Sequence, residues 1–197
     1  MDSVVENVGM PLDEYMRLYD EQPFELINGE KKLLMVNVAG HGFVSKIIFL
    51  ALHMFVSPIK LGYVFTEQTF VLSYISNWVT GSRQPDVMYY ASERMDAYMQ
   101  ANPDWKFKPF ILVPDLAIEV VSPNDNLSEL EEKVDQYLLD GVQLVWVLDP
   151  QKQRVSVNIL IGRQPFTKQQ THLTPTDTLT GGNLIPGFEI PVASIFA

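Results

Sequence analysis

Cysteine is absent from the 197-residue chain. Disulfide scaffolds, thiolate zinc sites and cysteine nucleophiles are excluded with it, and a reducing cytoplasm is the expected location. Basic charge is scarce: 14 Lys and Arg stand against 24 Asp and Glu, a formal net charge of −10. That balance argues against a protein that coats nucleic acid by general attraction, while leaving room for one that handles it at a local site. No apolar run reaches the length of a membrane span, about 20 residues. The longest, Phe43 to Val56, is interrupted by Ser45, Lys46 and His53 and closed by Pro58, so a buried helix and no membrane contact are expected. The opening MDSVVENVGM is acidic and carries no secretory pattern. Internal repeats, heptad arrays and charge blocks are lacking. Glycine and proline, 11 and 13 residues, stay near average usage, which excludes low complexity.

What is present is a chain able to build a core. Hydrophobic residues make up 47% and charged residues 19%, and the length suits a single domain over residues 1–197. Leu12, Tyr15, Met16 and Tyr19 recur at helical spacing after Pro11. Phe24 to Ile27 and Glu30 to Val38 flank Asn28-Gly29, a strong hairpin signal because both turn residues must take positive φ. A helix is expected over His41 to Val56. Strands are expected over Tyr63 to Leu72, continuing at Tyr74 to Thr80, with Gly81-Ser82 as a break before Pro85 to Tyr90. Ser92 to Gln100 reads as a helix, Asn102 to Pro109 as a loop, and Asp115 to Val121 as a strand. Asn126-Leu127-Ser128-Glu129 has capping-box spacing before a helix that Gly141 stops. Gln143 to Leu148, apolar on both faces, suits a central strand, and Arg154 to Leu160 a partner strand. The C-terminal stretch reads as turns around short strands. The order predicts a mixed α/β (α+β) domain with an N-terminal helix and hairpin.

Two acids sit where packing alone would not put them. Alternation places Leu116, Ile118 and Val120 on one face of their strand and Ala117, Glu119 and Val121 on the other, so Glu119 lies among apolar neighbours. A buried carboxylate costs several kcal/mol unless it is paired, hydrogen-bonded or bound to a cation. Asp86 stands at a strand entrance after Pro85. Each has a structural explanation: Glu119 pairing with an internal base, Asp86 capping a turn. On the next helix Leu130, Val134, Tyr137 and Leu138 form the apolar stripe, and Lys133 lies at its edge. Lys133 either snorkels along the sheet, pairs with Glu129, or aims its ammonium at Glu119. Two carboxylates on adjacent strands beside a lysine suit a hard divalent cation and an activated water.

Several ordered motifs carry a resemblance. They are Glu25-Leu26-Ile27-Asn28-Gly29-Glu30, His41, Arg83-Gln84-Pro85-Asp86-Val87 and the run from Pro114 to Pro123. Glu132-Lys133 with Tyr137, the run Gly141 to Pro150, and Leu184 to Phe188 with Ile195-Phe196 complete the set. From about Leu12 to Phe196 the chain resembles the putative restriction endonuclease family of bacteria, a branch of the PD-(D/E)XK nucleases. The resemblance implies a restriction-endonuclease-like fold, a mixed sheet of four to five strands flanked by helices, and metal-dependent hydrolysis of phosphodiester bonds in DNA. It makes Asp86 and Glu119 the ligands of Mg²⁺ (or Mn²⁺). The superfamily's lysine two residues after the second acid is replaced by Val121, and its role, stabilising charge on the attacking water or phosphorane, maps to Lys133. Glu30 matches the acid after the hairpin, with a water-mediated metal contact, and His41 matches a histidine at the helix start, either satisfied locally or contacting a phosphate. Homodimers are common among such nucleases, though no coiled-coil seam is visible here.

Lys31-Lys32, Arg83, Lys106 and Lys108, Lys152 and Arg154, and Arg163 with Lys168 are the basic groupings, scattered and without a DNA-reading motif. Trp105 and Phe107 alternate with Lys106 and Lys108, which suits either core packing or base stacking. A nuclease fold that binds without cutting is the alternative, because fold does not fix function. Hydrolysis of glycosides by the paired acids is a weaker one.

Overall fold

The computed structural model describes residues 8–35, 37–73, 77–123 and 125–197. The chain begins with β1 (Met10–Pro11), α1 (Leu12–Glu21) and the hairpin of β2 (Phe24–Ile27) and β3 (Glu30–Leu33). Next come α2 (Ala39–Val56), β4 (Gly62–Thr66), β5 (Phe70–Leu72), β6 (Trp78–Val79), β7 (Gly81–Arg83) and β8 (Val87–Ala91). They are followed by α3 (Ser92–Ala101), a 3-10 turn at Trp105–Phe107, β9 (Leu116–Val120) and α4 (Leu127–Asp140). The chain closes with β10 (Leu144–Asp149), β11 (Arg154–Arg163), β12 (Phe166–Leu173), β13 (Thr178–Gly181), β14 (Ile185–Pro191) and α5 (Val192–Ile195).

The central sheet is mixed and has six strands in the order β12-β11-β10-β9-β8-β4. Only β9 and β10 run parallel, joined by the α4 crossover. The sixth strand, beyond the four or five the resemblance implies, is β12, which extends the β11 hairpin. Strand β10 is buried along its whole length, as its unbroken apolar run requires. On β9 the expected alternation holds. Leu116, Ile118 and Val120 join a core with α2, α5 and the β13–β14 hairpin, while Ala117 and, just past the strand, Val121 join one with α3 and α4. A third, smaller core packs α1 on the N-terminal hairpin through Tyr15, Phe24, Leu26, Val71 and Val79.

Local chemistry explains the elements that frame the cleft. Asn28 and Gly29 take φ of 51° and 83°, the two positive values a tight hairpin needs, and bring Ile27 opposite Glu30. Asn126 caps α4 by accepting the Ser128 N–H at 2.9 Å, and Gly141 ends the helix with φ of 114°. The residue-129 half of the capping-box spacing is not used for that bond.

Four expectations need correction. The Tyr63–Leu72 run is two strands, broken where Glu67 takes φ of 51°; β4 stays in the central sheet and β5 pairs with β7. Gly81-Ser82 is no break but part of β7, where the buried Ser82 hydroxyl accepts the Leu26 N–H at 2.7 Å and ties the hairpin down. The return strand of the hairpin ends at Leu33 rather than Val38. The apolar helix α2 buries one face only, through His41, Val44, Ile48, Leu52 and Val56, and leaves Phe43, Leu50 and Met54 exposed. By length and composition it is the one described helix that could cross a membrane, and here it packs against β4, β8, β9, β14 and α5. Within the Tyr74–Thr80 expectation, residues 74–76 lie outside the described residues, as does Asn124; Trp78–Val79 pairs with β1.

Candidate active site

Because β8 runs antiparallel to β9, the start of one lies beside the end of the other. Val87 pairs with Ile118, so Asp86 and Glu119 occupy the next level of the register. Asp86 is fixed there: its Oδ2 accepts the Val120 N–H at 2.7 Å, and its Oδ1 accepts from His41 Nε2 at 2.8 Å. Helix α2 delivers His41 from the opposite layer, and Ser122 Oγ engages its other ring nitrogen at 3.1 Å. Burial alone would lower the His41 pKa. The hydrogen bond and charge of Asp86, with Glu119 and Asp125 behind it, outweigh burial and hold it above the ordinary histidine value.

Glu119 emerges from β9 toward α4, which follows it in the chain. The Tyr137 hydroxyl donates to Glu119 Oε1 at 2.5 Å, and Lys133 Nζ lies 3.1 Å from Oε1 and 3.2 Å from Oε2. The spacing from Lys133 to Tyr137 is one helical turn, so both reach the same carboxylate. Burial pushes the Glu119 carboxyl up. Lys133 opposes the rise and Asp86 and Glu25 reinforce it, leaving its pKa at about 7. Burial would lower Lys133, but the charges of Glu119, Glu25 and Asp86 prevail, so the ammonium is held more firmly protonated than in water. Burial and the neighbouring acids likewise keep the Tyr137 phenol neutral and therefore a donor.

A third acid completes the group. Glu25 Oε1 lies 3.2 Å from Lys133 Nζ and accepts the Gln84 N–H at 2.7 Å. Phe24 and Leu26 anchor β2 in the small core, so alternation turns Glu25 the other way, into the cleft. Sequence reasoning passed over Glu25 as a site residue, although the signal that singles out Glu119, an acid inside an apolar strand, is present in Phe24-Glu25-Leu26-Ile27. Glu30 is not brought to this group. It sits at the hairpin tip opposite Ile27, exposed and outside the cleft lining, whereas Glu25 pairs with Lys32 further down the ladder.

Arg83 also differs from a phosphate-binding base. It is buried, donating from Nη1 to the carbonyls of Leu26 at 2.8 Å and Ser82 at 2.9 Å, with Nη2 3.1 Å from Asp140 Oδ2. It thus ties the hairpin that carries Glu25 to the helix that carries Lys133. Lys168 is likewise committed, 2.6 Å from both Glu131 and Asp135. Trp105 stacks on Phe110 at 6.0 Å beside the core, while Phe107 is exposed.

The group lines one cleft of about 690 Å³. Among the described residues no three His, Cys, Asp or Glu side chains gather as a metal cage. The donor set is two carboxylates on facing strand ends, hard oxygens that suit Mg²⁺, which commonly takes one or two carboxylates and fills its remaining positions with water and phosphate oxygens.

Comparison with known proteins agrees with this fold. A family model described as Uma2, putative restriction endonuclease, matches residues 12–193. A crystal structure of a putative nuclease belonging to DUF820, from Anabaena variabilis, superposes with a TM-score of 0.74 at 19% identity, over 95% of this chain and 97% of that one. At that identity the likeness concerns the fold. No curated protein matches the sequence.

Proposed function

The chain belongs to the putative restriction endonuclease family, and from that membership and the geometry of the cleft we propose that it is a divalent-metal-dependent endonuclease hydrolysing phosphodiester bonds in DNA. The observation that carries the reading is the meeting of Asp86, whose Oδ2 accepts the Val120 N–H at 2.7 Å, with the adjacent Glu119 of β9, and the Lys133 ammonium 3.1 Å from Glu119 in the same cleft. Asp86 and Glu119 would hold Mg²⁺ or Mn²⁺. When bound, the ion supplies Lewis acidity and lowers the pKa of a coordinated water.

The chain's own residues have separable tasks. Lys133 is too firmly protonated to serve as a base, so its Nζ acts as a fixed positive charge beside the phosphate, where negative charge develops during attack. Glu25 also holds that ammonium, at 3.2 Å. Tyr137 keeps Glu119 oriented, and His41, with both ring nitrogens engaged, orients Asp86 rather than reaching for a phosphate. The test is cleavage of plasmid and linear DNA with Mg²⁺ or Mn²⁺ by wild type, Asp86→Ala and Lys133→Ala. Both variants are expected to lose at least about a hundredfold. Equal residual activity in all three proteins would overturn the assignment.

A second reading, a module that keeps the nuclease fold and binds nucleic acid or protein without cutting, draws on one observation. Glu119 already has Lys133 and Tyr137 as partners, so its burial is compensated without a metal. This reading predicts an unchanged melting temperature on titration with Mg²⁺ or Mn²⁺, where the first predicts a rise.

A further inference from the structure

The lining of the cleft is not all charged. Leu33, Leu34 and Met35, at and just beyond the end of β3, line it together with Leu130 and Leu139 of α4 and Phe166 of β12. Leu33 and Leu139 are exposed and Met35 is 86% exposed, so apolar side chains stand in water at the mouth of a charged site. Neutral polar side chains and five further acids complete the lining: Glu67, Asp125, Glu129, Glu132 and Asp135, the last paired with Lys168 at 2.6 Å. Lys32 is the one lining cation, among the described residues, besides Lys133 and His41, which Glu119, Glu25 and Asp86 already engage.

Resting on the phosphodiesterase reading above, we infer that this cleft takes an unpaired nucleotide strand in preference to a duplex. Duplex DNA is stiff and carries one charge per about 1.7 Å of axis. Laid over this cleft, both of its backbones meet carboxylates with few basic partners. An unpaired strand has a lower charge density, bends freely and exposes the faces of its bases. It can set one phosphate at the cation that Asp86 and Glu119 would hold, while flanking bases lie against the apolar lining of Leu34, Met35, Leu139 and Phe166. Unstacked bases are held in this way between apolar and aromatic side chains. Shape and charge thus select for unpaired bases, whether they come from a free single strand or from a loop within a duplex.

The experiment is fluorescence anisotropy with labelled 12-nucleotide DNA, Ca²⁺ replacing Mg²⁺ to keep the strand intact. Three probes are compared: the single strand, the blunt duplex of the same sequence, and a duplex with a central unpaired loop. The single strand or the looped duplex is expected to bind at least tenfold more tightly than the blunt duplex, and their ratio identifies the source of the unpaired bases. Met35→Ser and Leu139→Ser, both at exposed positions, are each expected to weaken that binding three- to tenfold without lowering the melting temperature. Blunt-duplex binding as tight as that of the other probes, rim substitutions without effect, or no binding to any probe would each overturn the inference. Selective binding of unpaired DNA with no metal-dependent cleavage would leave this inference standing and refute hydrolysis. Cleavage confined to blunt duplex would do the reverse.

Discussion

Glu25 and Glu119 hold the same ammonium: Lys133 Nζ lies 3.2 Å from Oε1 of the first and 3.1 Å from Oε1 of the second. The acids come from β2 and β9, elements with no strand pairing between them, and the lysine from a helix that follows the second. A buried ion triad of this kind is costly to break from one side, because the remaining charges stay desolvated.

Glu25→Gln tests that arrangement. The amide oxygen can still accept the Gln84 N–H, so the loss is confined to one charge facing Lys133. Stability is expected to fall by about 1–2 kcal/mol in urea unfolding. The rate of cleavage is expected to fall through kcat more than KM, because the ammonium is then held from one side only. Unchanged stability and unchanged kcat would remove Glu25 from the site.

Tyr137→Phe keeps the ring in the core and deletes the donor to Glu119 Oε1. A hydrogen bond to a carboxylate contributes about 1.5–3 kcal/mol, and a loss at the lower end is expected. The hydroxyl also lowers the Glu119 pKa, so its removal is expected to shift the pH at which divalent cations begin to stabilise the protein upward. Thermal melting with Mn²⁺ across a pH series measures both effects.

At Glu119 protons would compete with the proposed metal ion. Burial, partly opposed by Lys133, raises its pKa to about 7, so below that pH the carboxyl is increasingly protonated and must lose the proton to bind a cation. Apparent Mn²⁺ affinity is therefore expected to fall by about tenfold per pH unit below pH 7 and to level off above pH 8. A titration followed by melting temperature at pH 6, 7 and 8 decides it; an affinity independent of pH contradicts Glu119 as a ligand.

Asp140 imposes its own pH dependence on stability. Burial, opposed by Arg83, raises it from the ordinary 3.8 to about 6. Between those values the folded state binds a proton that the unfolded state lacks, so this contribution is fully present below pH 3.8 and is lost as pH rises through 6. The two-unit shift corresponds to about 3 kcal/mol. The difference in unfolding free energy between wild type and Asp140→Asn is therefore expected to favour wild type progressively as pH drops from 6 to 4. Parallel profiles would place the titration elsewhere.

Much of this site is legible in the chain because its signals are local. An acid after proline at a strand entrance marks Asp86, and an acid among apolar neighbours marks Glu119. Helical spacing places Lys133 next to Tyr137, and Asn28-Gly29 predicts the hairpin with its two positive φ values. Harder to read are the segments whose conformation depends on distant partners. The chain turns at Glu67 so that β5 can leave the central sheet for β7, and Ser82 stays in a strand because the hairpin backbone needs its hydroxyl.

Sequence alone determined that this chain is a mixed α/β protein of the putative restriction endonuclease family, with its acids at two strand ends and little basic charge. Periodicity and turn chemistry act over a few residues, and they suffice for that. Only the tertiary structure decided that Glu25 joins Lys133 and Glu119 while Glu30 stays outside the group, that His41 is spent on Asp86, and that Arg83 ties the hairpin to α4. A two-residue period says which face of a strand an acid takes. It cannot say what that face will meet, because the docking of β2 on β7 and of α4 on the sheet is set by contacts between residues far apart in the chain. The net charge of −10 gained its meaning the same way, once folding gathered acids and apolar side chains around this cleft.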